Sequence, residues 1–129
     1  MRLECEGKAP VENPKLSLVR KVVSSLRSYG PSSYASITDQ QGSYLQVAGV
    51  GVTCMLEFYQ SDTGKRFRAF SDTKNKAFPD GTLLVFRAGQ IAMQADEWFM
   101  ADKIAEAFCC FLEGKELPKD IRWRPAPGF

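Results

Sequence analysis

The sequence contains no histidine. That absence removes the Ser-His and Cys-His nucleophile pairs, zinc sites that need imidazole, and any histidine general base. Long apolar runs are missing too, since no window approaches the roughly 18 uninterrupted apolar residues of a membrane helix. The opening Met1-Arg2-Leu3-Glu4-Cys5-Glu6-Gly7-Lys8 has no apolar stretch of the secretory kind. Together these absences lead to the expectation of a soluble, cytoplasmic chain. Neither sign of charge is in large excess: 17 Lys and Arg against 15 Asp and Glu leave +2, which argues against a dedicated polyphosphate binder. What is present, 129 residues with 44% hydrophobic and 25% charged, suits one globular domain.

Cysteines occur at 5, 54, 109 and 110. Cys109 and Cys110 are adjacent on a helical pattern, so their side chains diverge, and no C-x-x-C pair is available for zinc. All four read as reduced thiols filling apolar space. No metal or cofactor is expected.

Residues 1–12 are polar and contain Pro10, and read as an extended lead-in. Asn13-Pro14 then suits a helix start, with Asn as N-cap and Pro at the first helical position. Leu16, Val19, Val22, Val23 and Leu26 form one apolar stripe, which predicts a helix over 14–28 ending at Gly30-Pro31. From 32 to 94 the chain turns to β-branched and aromatic residues. Strands are expected near 33–38, 44–48, 52–60, 66–71, 82–87 and 90–94. Asp39-Gln40-Gln41-Gly42-Ser43 and Ser61-Asp62-Thr63-Gly64-Lys65 read as hairpin turns, and 72–81 as a longer loop. Met100, Ile104, Phe108, Phe111 and Leu112 predict a second helix, stopped by Gly114. Ile121-Arg122-Trp123 suits a short last strand, and 125–129 an extended tail. The order gives an α+β domain over 13–124: an antiparallel sheet of five to six strands with two amphipathic helices on one face.

Candidate sites are few. Gly49-Val50-Gly51 lacks the third glycine and following helix of a dinucleotide fingerprint, and reads as a strand irregularity. Glu57 lies within Met55-Leu56-Glu57-Phe58-Tyr59, where alternation puts it beside Met55 and Tyr59 on the expected solvent side. Charge is segregated along the chain. Over 60–76, Lys65, Arg66, Arg68, Lys74 and Lys76 face only Asp62 and Asp72. Over 94–116, Asp96, Glu97, Asp102, Glu106, Glu113 and Glu116 face Lys103 and Lys115. Trp98-Phe99 precedes the second helix and suits a staple onto the sheet, with an exposed interface anchor as the other reading.

Three segments resemble small immunity proteins of bacterial polymorphic-toxin and contact-dependent-inhibition systems. Ser43-Tyr44-Leu45-Gln46-Val47-Ala48-Gly49 is similar to their sheet-opening region. Phe111-Leu112-Glu113-Gly114-Lys115-Glu116-Leu117-Pro118-Lys119-Asp120-Ile121-Arg122-Trp123 resembles their closing segment, and Phe78-Pro79-Asp80-Gly81 one of their turns. The resemblance implies a non-enzymatic protein that neutralises a cognate toxin by binding it, without a cofactor. Members that block nucleases often carry strong negative charge to cover a basic cleft. At +2 this chain departs from that pattern.

The expected partner-binding residues are Asp96, Glu97, Trp98 and Phe99, with Lys65, Arg66 and Arg68 as a second face. The expected partner is a cognate protein toxin or effector, with nucleic acid disfavoured and a homodimer left open. Two competing functions are a secretion chaperone or scaffold, and a small-molecule enzyme acting through Glu57, Asp96 or Cys54.

Overall fold

The computed structural model describes residues 1–27, 32–50 and 53–127. Gly30-Pro31, Gly51-Val52 and Gly128-Phe129 lie outside the described residues, and with them one glycine of Gly49-Val50-Gly51. The first helix does not reach the expected stop at Gly30-Pro31, because it ends at Ser25 and Leu26 is already extended, with ψ 143°. The architecture is α+β, with two helices, a seven-stranded antiparallel sheet and a separate two-stranded sheet.

Strands β1 (Arg2–Cys5) and β2 (Val11–Glu12) come first, followed by helix α1 (Leu16–Ser25). The meander β3 (Tyr34–Thr38), β4 (Tyr44–Val50), β5 (Thr53–Gln60) and β6 (Lys65–Phe70) follows. Next are β7 (Thr82–Phe86), β8 (Gly89–Met93), helix α2 (Ala101–Leu112) and β9 (Arg122–Pro125). The large sheet runs β2-β1-β3-β4-β5-β6-β9. Its unexpected strands, β1 and β2, come from the N-terminal lead-in, while β9 is the expected last strand, shifted by a residue or two. The lead-in is part of the sheet, because β1 pairs with β3 over Arg2–Cys5, and Pro125 of the expected tail pairs with Phe67.

The turns follow their chemistry. Asp39 Oδ1 accepts the N–H groups of Gln41 and Ser43, and Gly42 supplies the positive φ of +92° that closes the β3–β4 hairpin. Helix α2 ends as expected at Gly114, whose φ of 69° lets Lys115 N–H return to Cys110 O. Helix α1 starts differently. Asn13 is not its cap: it adopts φ 50°, its N–H donates to Met1 O, and the cap position is Lys15, which makes no side-chain capping bond. The positive φ at Asn13 turns the chain from β2 toward α1, so the residue serves the turn instead of the helix.

Both helices cover one face of the large sheet. Val19, Val22 and Val23 of α1, with Leu26 just after it, pack with Ile104, Ala105, Phe108 and Cys109 of α2 onto Leu3, Ile37, Leu45, Val47 and Leu56. The β7–β8 hairpin does not extend this sheet. The long loop before it carries the chain to the opposite face, where Leu84 and Met93 close over Ala48 and Met55. The domain therefore has three layers: helices, sheet and hairpin.

Candidate functional site

On the hairpin side, strand register arranges side chains in rows that cross the strands. The first row is Glu12, Arg2, Thr38, Tyr44, Tyr59 and Arg66. The second is Glu4, Ser36, Gln46, Glu57, Arg68 and Arg124. The third, Tyr34, Ala48 and Met55, is apolar and lies under the hairpin, with the Tyr34 and Phe86 rings edge to face at 6.4 Å.

The second row runs into the interior. Glu57 shares a face with Met55 and Tyr59, but that part of the face is not solvent. Glu57 is buried at 6% exposure, and Arg68, at 2%, donates to its Oε2 from Nε at 3.1 Å and Nη2 at 2.9 Å. Arg68 Nη1 donates to Ala92 O of the hairpin at 3.1 Å and lies 3.6 Å from Glu97 Oε1. Glu97, also at 2% exposure, accepts the Gln94 N–H at 2.7 Å, which fixes the turn after β8. Its Oε2 is 3.6 Å from Arg124 Nη1, while Arg124 Nη2 donates to Asp96 Oδ2 at 2.7 Å. The Arg124 guanidinium also stacks over Phe70, 4.0 Å from the ring centre. Two cations thus face three carboxylates in a continuous network that ties β5, β6, β9 and the segment before α2 together.

This network changes the meaning of the segregated charge. Arg68 from the basic segment and Glu97 from the acidic one meet inside the protein. Further along the acidic segment, Lys103 Nζ binds Asp120 at 2.7 Å and Glu106 at 3.2 Å, and Lys115 binds Glu113 at 3.3 Å. The hydrogen bond from Lys103 holds the Asp120 carboxyl below the ordinary aspartate range, and Asp120 raises the Lys103 ammonium in turn. Much of the acidity around α2 is compensated within the chain.

The expected partner-binding residues separate accordingly. Glu97 and Arg68 are interior. Phe99 is buried among the helices, and its backbone bridges to Cys54 through two hydrogen bonds of 2.9 Å. Trp98 turns to the other side, packs under the hairpin and meets the Phe78 ring at 4.7 Å. The pair therefore pins the start of α2 from both faces of the sheet. Asp96 is held by Arg124. Lys65 and Arg66 are exposed.

Arg66 leads to the first row, which sequence reasoning passed over. Tyr44 and Tyr59, directly paired across β4 and β5, stack with ring centres 5.1 Å apart and planes 22° apart. The Arg66 guanidinium lies 5.9 Å from the Tyr59 ring centre. With strands about 4.8 Å apart, the row from Arg2 to Arg66 spans roughly 19 Å. The hairpin seats on the other end of these strands, over Ala48 and Met55. Beside Arg66, a surface hollow is lined by Gly64, Lys65, Phe67, Pro125 and Ala126. The signal for this row is two tyrosines in register, which needs the strand pairing to be known.

Among the described residues no group of three or more His, Cys, Asp or Glu is placed to hold a metal ion, and no helix is long and apolar enough to cross a membrane. No protein-family model and no curated protein matches the chain.

Proposed function

We propose that the protein is a binding protein that neutralises a partner toxin or effector by direct contact, without catalysis, as the immunity proteins it resembles do. The observation that carries this reading is the Tyr44–Tyr59 stack with Arg66, at the end of the strands away from the β7–β8 hairpin. Tyrosine and arginine are enriched among the residues that dominate interface energetics: tyrosine brings large contact area at little entropic cost, and arginine brings several directional donors. The exposed Lys65 beside this row brings a positive charge that suits an acidic group on the partner. The carboxylates that would serve an enzyme are engaged elsewhere: Glu57 is clamped by Arg68 and Asp96 by Arg124. That engagement supports a role in binding over one in turnover.

The test is to purify the protein with the toxin or effector domain encoded beside its gene. A stable 1:1 complex that abolishes the toxin's activity is expected. Tyr59→Ala and Arg66→Glu should each weaken it by about tenfold or more while the protein stays folded. Absence of a complex, or unchanged affinity in both variants, overturns the proposal. A complex that leaves the partner fully active marks a chaperone or scaffold instead.

A further inference from the structure

A second feature lies away from this face, on the helical side of the sheet. Between α1 and the β1–β2 hairpin is a slot of about 190 Å³. Its walls are Leu3, Cys5, Val11, Leu18 and Val22, all apolar, and the ammonium-bearing Lys8 and Lys21 also line it. Leu3, Cys5 and Val22 belong to the buried core, so the deep part of the slot is dry in character. Val11 and Leu18 are more exposed and form the outer part.

Size and charge together define what fits. A cavity of about 150 Å³ lined by aliphatic residues holds one benzene. A slot of this volume therefore takes a phenyl or branched-alkyl group. None of its lining residues is acidic. The acids of the neighbouring strands are directed elsewhere. Leu3 pairs with Val11 on the slot side, whereas Arg2 pairs with Glu12 and, by alternation, these two lie on the opposite face with Glu4. Arg2 Nε is 3.5 Å from a carboxylate oxygen of each. Glu6 is committed to Ser33, accepting its backbone N–H at 2.8 Å and its hydroxyl at 2.6 Å. Two lysines thus face an apolar slot with no carboxylate in its lining to answer them.

We propose that this slot binds a small amphiphilic carboxylate: a phenyl- or branched-alkyl-sized group seated against Leu3, Cys5 and Val22, with its carboxylate reaching Lys8 and Lys21. The apolar group gains by leaving water, and the carboxylate gains from two ammonium groups at an aperture where screening is partial. This site is separate from the tyrosine face and does not depend on the toxin-neutralising reading.

The test is titration of the full chain with 3-phenylpropionate, followed by two-dimensional NMR of backbone amides and methyl groups. Saturable shifts are expected at Leu3, Leu18 and Val22, with little change at Tyr44 and Tyr59. The uncharged analogue 3-phenylpropan-1-ol should bind at least fivefold more weakly. A Lys8→Glu, Lys21→Glu double variant changes exposed side chains only and should lose at least tenfold in affinity for the acid. Ala9→Leu, which narrows the slot from its exposed edge, should reduce binding of acid and alcohol alike. Absence of saturable shifts, shifts centred elsewhere, equal binding of acid and alcohol, or undiminished binding in the charge-reversed variant each overturns the proposal.

Discussion

Arg68 Nη2 lies 2.9 Å from Glu57 Oε2, with the two side chains 2% and 8% exposed. The pair joins β5 to β6 directly across the register and, through Ala92 O and Glu97, anchors the hairpin layer above them. A buried pair of this kind owes its importance to what happens when one member is lost. Its mutual attraction is largely offset by the cost of taking both charges out of water.

Arg68→Met should therefore destabilise the protein by about 3–5 kcal/mol, because Glu57 is left as a buried charge without its cation. Adding Glu57→Leu should recover part of that loss. Urea unfolding midpoints of the two single variants and the double variant check this. A double variant no more stable than Arg68→Met would contradict it.

Lys15 is a poor residue for its position. It caps α1 with extended backbone and no side-chain bond to the first turn, which also holds no acid. Lys15→Asp should stabilise the protein by about 1 kcal/mol, by satisfying an orphan N–H and by placing negative charge at the positive end of the helix dipole. Thermal denaturation reads this as a rise in Tm.

Acid should weaken the tie between the β1–β2 segment and the start of β3. The Glu6 carboxyl is held below the ordinary glutamate range, chiefly by the Ser33 hydroxyl and further by the Ser33 N–H, with partial desolvation working in opposition. A lowered pKa in the folded state means that stability is present above the unfolded-state value and is lost as pH falls through the folded one. Ser33→Ala should flatten stability against pH on this acid limb. Urea midpoints at intervals between pH 7 and pH 3 test it, and identical profiles for the two proteins would refute it.

Thiol reactivity should be graded. Cys5, Cys54 and Cys109 are buried, Cys110 is half-buried, and none is bridged in a disulfide. Burial pushes the Cys109 thiol up, which lowers the thiolate fraction available for attack. Iodoacetamide at pH 8 should label Cys110 first, with Cys54 and Cys109 modified only on unfolding. Mass spectrometry of the labelled peptides decides it.

The sequence by itself determined the local grammar. The stripes Leu16–Leu26 and Met100–Leu112 specify two amphipathic helices, and the alternating runs with Gly42 and Gly64 specify the hairpins, because these signals act over a few residues. Alternation also assigned Glu57 correctly to the face of Met55 and Tyr59. Tertiary structure decided what lies over that face. The β7–β8 pair, joined by the short Arg87-Ala88 turn, reads like two more strands of the same sheet, yet it crosses to the far side and buries the Ala48–Met55 end of that face. The opposed charged segments became, in part, one internal network, since Arg68 and Glu97 are distant in the chain and adjacent in space. The Tyr44–Tyr59 row exists only through register, in which a shift of one residue between β4 and β5 would put the two rings on opposite faces. Short-range patterns are written in neighbouring residues. Coverage, ion pairing and surface rows arise from contacts between distant ones, and only the folded chain brings those together.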